Sequence, residues 1–171
     1  MIFTIGHSTR SADDFLALLQ AHKVSGVADV RTIPRSRRHP HFSSDALSAF
    51  LNQHGIAYLH LPALGGLRKP RADSPNGGWR HSAFRGYADH MQTPEFAAAI
   101  ADLLAFAEGR RVAVMCAEAK WWQCHRQLIA DALVGRGLEV RHIMGPGAPP
   151  AHQLTPFARL TDSGVLYPAL V

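Results

Sequence analysis

The chain has no apolar run approaching the roughly 18 residues that a membrane-spanning helix needs. Its start, Met1-Ile2-Phe3-Thr4, lacks the basic residues and small-residue cleavage site of a secretory signal. A cytoplasmic location is therefore the expectation. Cysteine is scarce: Cys116 and Cys124, with seven residues between them, are too few for a disulfide framework. They read as reduced core thiols, metal ligands or catalytic groups in a reducing compartment. Their spacing matches no common zinc pattern, even with His125 beside them, so no metal is expected. Neither a Gly-x-Gly-x-x-Gly run nor a Walker lysine is present, and no nucleotide cofactor is expected. The arginine that a cysteine-phosphatase loop places six residues after its cysteine is also missing, because that position holds Trp122. Acids are absent from a whole segment, since Arg31, Arg35, Arg37, Arg38, His39 and His41 stand within eleven residues that contain none.

What is present suits one domain with a substantial core: 171 residues, 47% of them hydrophobic. The formal charge of +5 and pI near 9.8 are concentrated in loops, and eleven histidines add to them. A basic segment of this kind attracts polyanions, nucleic acid above all, unless it is only a solvated face.

Apolar runs alternate with amphipathic ones. Strands are expected at Ile2 to Ile5, Val24 to Val30, Ile56 to Leu61, Val112 to Met115 and Leu138 to Ile143. Between them lie helix starts capped by Ser11, by Ser43 or Ser44, and by Thr93 followed by Pro94 and Glu95. The alternation implies an α/β fold: a single-domain three-layer sandwich with a mostly parallel central sheet over residues 1–144. Residues 62–83 form a long loop, and the Pro- and Gly-rich residues 145–171 form an extension packed on the same domain. In such folds ligands sit beyond the carboxyl ends of the strands. The turns after Ile5, Val30, Leu61 and Met115 should therefore bring His7, Asp29, Arg31 and Glu118 to one cleft, with the loop Leu67 to Ala83 above it carrying Trp79 or Arg80.

Asp29 and Glu118 are a pair of carboxylates suited to hydrolysis at an acetal-like carbon, with His7 and Arg31 as neighbours, though a structural ion pair with an arginine is the competing account. Gly6-His7-Ser8-Thr9 offers hydroxyls and backbone N–H groups to a phosphate. Trp79, Phe84, Tyr87, Trp121 and Trp122 lie in or beside loops, where flat rings stack bases, unless they pack the loop onto the sheet.

Five separated blocks, Gly6-His7-Ser8-Thr9, Asp29-Val30-Arg31 with Pro34, Ser36-Arg37 and Phe42, Leu64-Gly65-Gly66, Phe84-Arg85-Gly86-Tyr87-Ala88, and Cys116-Ala117-Glu118 with Cys124-His125-Arg126, resemble the domain-of-unknown-function family numbered 488. The resemblance spans about residues 2–143, and Trp121 stands where many members have proline. It implies a compact α/β fold, and for some members a link to excision of methylated adenine from DNA.

The leading expectation is a cofactor-independent DNA glycosylase removing a modified purine such as N6-methyladenine. Asp29, Glu118, His7 and Arg31 are its candidate catalytic groups. Ser8, Thr9, Arg35, Arg37, Arg38, Arg68, Arg80, Arg85, His125 and Arg126 are the candidate DNA contacts, and Trp79, Tyr87, Trp121 and Trp122 the candidate stacking platforms. The alternatives are a non-catalytic nucleic-acid-binding module and a cysteine-dependent enzyme acting on a small anionic substrate.

Overall fold

A computed structural model of the chain describes residues 1–169. Five strands, β1 (Ile2–Gly6), β2 (Gly26–Asp29), β3 (Ala57–His60), β4 (Val112–Cys116) and β5 (Val140–Ile143), form a parallel sheet in the order β3-β2-β4-β1-β5. Uninterrupted apolar runs are what a sheet covered on both faces requires. Phe3, Ile5, Val27, Ala113, Met115 and Ile143 pack against α1 (Ala12–Ala21) and α2 (Ser44–Gln53). Ile2, Ala28, Val112, Val114 and Val140 pack against α3 (Ser82–His90), α4 (Pro94–Ala107) and α5 (Arg126–Gly135). The expected single-domain α/β sandwich is thus the observed one. Among the described residues no helix is long and apolar enough to cross a membrane.

The helix starts follow their caps. Ser11 Oγ accepts the Asp14 N–H at 3.0 Å, and Thr93 Oγ1 accepts that of Phe96 at 3.2 Å, ahead of Pro94 in the first turn. Ser43 precedes α2 and its carbonyl accepts the Leu47 N–H at 2.8 Å, but its hydroxyl does not cap the helix; the hydroxyl instead accepts the Ser36 N–H at 3.4 Å, which holds the basic loop in place.

Neighbouring strands β2 and β4 send the chain in opposite directions. From β2 it leaves through α2 to β3 on one edge, and from β4 through α5, on the other face, to β5 on the opposite edge. Such a switch point opens a crevice at the carboxyl ends of the strands.

The long loop departs from expectation. Its ends reach the crevice, but its middle folds away and is pinned to α3: Asp89 accepts from Arg71 N–H at 2.8 Å, Ser74 Oγ at 2.6 Å and Asn76 Nδ2 at 2.8 Å. Gly86 permits this seating, because a Cβ there would overlap the Arg68 carbonyl. Trp79 does not approach the cleft. It is buried against Phe84, Phe157 and Tyr167, since the extension returns as a hairpin, β6 (Arg159–Thr161) and β7 (Gly164–Leu166), and brings Tyr167 into the core.

Tyr167 also ends a buried polar chain. Its hydroxyl donates to Asp131 Oδ2 at 2.7 Å, while Asp131 Oδ1 lies 2.8 Å from His152 Nε2. His152 Nδ1 is 2.9 Å from His142 Nε2, and His142 Nδ1 is 2.6 Å from Thr4 Oγ1. Thr4 in turn accepts from Arg126 Nη1 at 3.3 Å. With both imidazoles neutral every link has one donor and one acceptor, running from the Arg126 cation to the Asp131 carboxylate. Burial first, then His152 and Arg126, push the His142 pKa from 6.5 to about 3. Unfolding restores the ordinary value, so between these limits the unfolded chain binds the extra proton. The stabilisation is complete above the unfolded pKa and is lost as pH falls toward the folded one. The urea midpoint should therefore drop between about pH 7.5 and about pH 4.5, and less so in His142→Gln. A midpoint that is flat across that interval in the wild type contradicts the assignment.

Candidate active site

At the crevice lies a cavity of about 470 Å³, within the roughly 300–1,000 Å³ usual for small-molecule sites. Its polar lining includes His7, Arg31, Glu118, Cys116, Cys124 and His125, and Ile33, Leu67, Phe84 and Tyr87 supply apolar walls. Gly6 makes the close approach possible, because a Cβ there would overlap the Glu118 carbonyl. The segment after β4 can then lie across the end of β1, where its Cys116 and Ala117 carbonyls accept the His7 and Ser8 N–H groups, each at 2.9 Å. These N–H groups were expected to hold a phosphate; the bonds to β4 occupy them, and Ser8 adopts φ 51° in making the turn.

His7, Arg31 and Glu118 converge on the cavity as expected, but Asp29 does not line it. Fully buried on the α1–α2 side, Asp29 accepts at Oδ1 from Arg31 Nε (2.9 Å) and backbone N–H (3.1 Å), and at Oδ2 from Arg31 Nη2 (2.7 Å) and the Tyr58 hydroxyl (2.5 Å). Four donors saturate the carboxylate, so Asp29 is a positioning group for Arg31. Burial alone would lower the Arg31 pKa, but the Asp29 pairing outweighs it and raises it. Burial and then Asp29 push the Tyr58 hydroxyl up. Burial drives His7 from 6.5 down to about 4, against the bond to the Ser8 carbonyl. Its Nδ1–H donates to that carbonyl at 2.9 Å, its Nε2 faces Arg31 Nη1 at 3.5 Å, and its ring stacks on Phe42. His7 is thus a neutral ring with its lone pair engaged.

The arginines divide into two groups. Arg35, Arg37, Arg38 and Arg80 are exposed with no side-chain partner among the described residues, and Arg35 reaches the cavity mouth. The others serve the scaffold. Arg68 donates to the carbonyls of Gly65, Pro62 and Ala63 at 3.2–3.4 Å, and Arg85 to that of Trp79 at 3.4 Å. Arg126, placed among the DNA contacts from sequence, is wholly inaccessible and donates to the carbonyls of Glu118 at 2.6 Å and Ala119 at 3.3 Å. Thr9 is exposed.

The aromatics are redistributed as well. Trp79 and Tyr87 are core residues, and the Tyr87 hydroxyl donates to the Leu64 carbonyl at 2.8 Å. Trp121 lies parallel to His142 at 4.3 Å, with 5° between the planes, so one of its faces is already taken. Trp122 is exposed with the Lys120 ammonium 5.9 Å from its ring, outside the cavity lining. His81, Ile33, Leu67 and Gln123 are lining residues to which sequence reasoning assigned no role, and Phe84, one of the rings considered for stacking, lines the cavity with them. One signal was available for two of them: an exposed Leu67 and Ile33 flank glycine- and arginine-rich turns where polar residues are the rule.

A family model described as domain of unknown function DUF488 matches residues 11–133, well over half of the chain. The chain belongs to the DUF488 family. The match takes in the cavity residues from Arg31 to His125 but not His7. No curated protein and no solved structure matches the chain. Among the described residues no group of three or more His, Cys, Asp or Glu side chains is placed to hold a metal.

Two carboxylates of such different surroundings should respond differently to loss of charge. Asp29→Asn leaves Arg31 buried beside a neutral amide and should cost about 3 kcal/mol of stability. Glu118→Gln, at an exposed position, should stay within about 0.5 kcal/mol of wild type. Urea unfolding of the two variants measures both, and equal losses would contradict the positioning role of Asp29.

Proposed function

We propose that this DUF488 protein is a DNA-acting hydrolase of the glycosylase type, which receives an extruded modified purine such as N6-methyladenine and releases it by hydrolysis of the N-glycosidic bond. The observation that carries this reading is Glu118, an exposed carboxylate that has no side-chain partner among the described residues, in the wall of a largely apolar cavity whose mouth carries Arg35, unpaired among those residues too. Departure of a purine leaves an oxocarbenium-like sugar, and a carboxylate beside that carbon stabilises it or activates the attacking water. Arg31, fixed by Asp29, sets positive charge in the opposite sense, where the leaving base gathers negative charge. Phe84 and the apolar lips Ile33 and Leu67 suit the flat, methyl-bearing base. Outside, Arg35, Arg37, Arg38 and Arg80 take the phosphates, with Trp122 as a platform for a neighbouring base.

Incubating the protein with duplexes that carry different modified purines, then analysing freed base by mass spectrometry, tests this reading. Glu118→Gln should release base at least about 100-fold more slowly while DNA binding persists. Full release by Glu118→Gln removes the carboxylate mechanism, and binding without release from any duplex favours the non-catalytic module. Replacing Arg35, Arg37 and Arg38 together by Ala should flatten the logarithmic salt dependence of DNA binding by about 2–3. An unchanged slope would return those arginines to a solvated face.

A further inference from the structure

The two cysteines lie outside the proposed hydrolysis, yet both line the same cavity, with Cys116 Sγ and Cys124 Sγ in direct contact at 2.7 Å. Their surroundings differ. Cys124 Sγ lies 3.5 Å from His125 Nδ1, and His125 Nε2 lies 2.9 Å from the Val30 carbonyl. A carbonyl only accepts, so the neutral ring carries its proton on Nε2 and turns the Nδ1 lone pair toward the sulfur. The backbone N–H of Arg126, at the start of α5, also points at Cys124 Sγ at 3.5 Å. Behind it the fully buried guanidinium of Arg126 has carbonyl and hydroxyl acceptors but, among the described residues, no salt bridge to a carboxylate. A helix start, a proton acceptor and an uncompensated cation together favour a thiolate. Burial opposes ionisation of Cys124, but Cys116, His125 and Arg126 outweigh it. Among the described residues Cys116, at the end of β4, has only its partner sulfur and the Glu118 carbonyl at 3.7 Å, and burial pushes its pKa up.

We propose that Cys124 and Cys116 form a thiol–disulfide exchange site on the floor of the cavity, with Cys124 as nucleophile, Cys116 as resolving thiol, and a low-molecular-weight disulfide of an anionic thiol as substrate. The Cys124 proton passes to His125 Nδ1. The thiolate attacks one substrate sulfur, the substrate S–S bond breaks, and one thiolate departs while the other half stays bonded to Cys124. Cys116 then attacks Cys124 Sγ, which expels the second thiolate and closes the Cys116–Cys124 disulfide; the Cys116 proton goes to that second thiolate, and the first takes the proton held on His125. Two protein thiols are oxidised and one substrate disulfide is reduced to two thiols, so the electrons balance. Arg35 at the mouth and Arg31 in the wall favour an anionic substrate, and Glu118 opposes one that brings its charge close to β4. The site stands apart from base hydrolysis, and neither activity requires the other.

Native wild-type protein incubated with glutathione disulfide, then denatured, alkylated with iodoacetamide and weighed intact, tests the proposal. Wild type should take up no carbamidomethyl group, because both sulfurs are joined. Cys116→Ser should hold one glutathionyl group on Cys124, and Cys124→Ser should acquire an adduct at least tenfold more slowly. Two carbamidomethyl groups on wild type after that incubation would overturn the proposal, as would equal adduct rates in the two variants. A readout that needs no variant is native wild-type alkylation mapped by peptide. Cys124 should react first, with a rate midpoint below the roughly 8.5 of a free cysteine. Prior modification of Cys116, or of neither thiol before unfolding, would sink it.

Discussion

The guanidinium of Arg126 is the point from which the rest of the site is hung. An arginine taken wholly out of water is costly unless its donors are met; here the Glu118 and Ala119 carbonyls and the Thr4 hydroxyl meet Nη1 and Nη2, while Nε has no partner among the described residues. Two of these acceptors belong to the segment after β4, so satisfying the cation fixes where Glu118 leaves the sheet and how Cys124 returns to it. The third begins the polar chain through His142 and His152 that reaches Asp131. Cation and carboxylate are thereby linked across the width of the molecule by hydrogen bonds alone. Neither the cation nor the carboxylate touches the other, but the oriented dipoles between them bear on both.

Much of the scaffold was legible because the signals are local. Runs such as Val112 to Met115 announce strands covered on both faces, and Ser11 and Thr93 announce helix starts that the bonds to Asp14 and Phe96 realise. The single cleft followed from parallel pairing. What escaped depends on partners remote in sequence. Asp29 and Arg31 sit two apart and so share a side of the strand; that much invites pairing. The fourth donor, Tyr58, comes from β3, diagonally across the ladder in which Val27 pairs with Tyr58 and Asp29 with His60. Trp79 looked free because its segment has no periodicity, while the rings that cover it, Phe157 and Tyr167, stand some eighty residues away. Arg126 stands in the first turn of a helix, where cations are ordinarily solvated, but α5 is buried from Leu128 to Leu133 as well.

The net charge of the chain divides in the same way. Inside, Arg31 is held by Asp29 with only its Nη1 turned toward His7, Arg126 is bound by dipoles, and His7 and His142 are held uncharged by burial. The positive potential therefore belongs to the rim, to Arg35, Arg37, Arg38 and Arg80. A field arranged so acts on whatever approaches the mouth and leaves the interior to be ordered by geometry.

The strand order has a consequence for how the chain is made. β1 comes first in the sequence but lies inside the sheet, and its two neighbours, β4 and β5, begin at Val112 and Val140. During synthesis, the segment Ile2 to Ile5 must wait for more than a hundred residues before either edge can be paired. Until then it is an apolar strand with both sides open, the kind of template that recruits wrong partners. Only the arrival of Val112 to Cys116 closes one side, and in the same event brings Cys116 and Ala117 against His7 and Ser8. The first pairing of β1 and the assembly of the cavity floor are therefore one step.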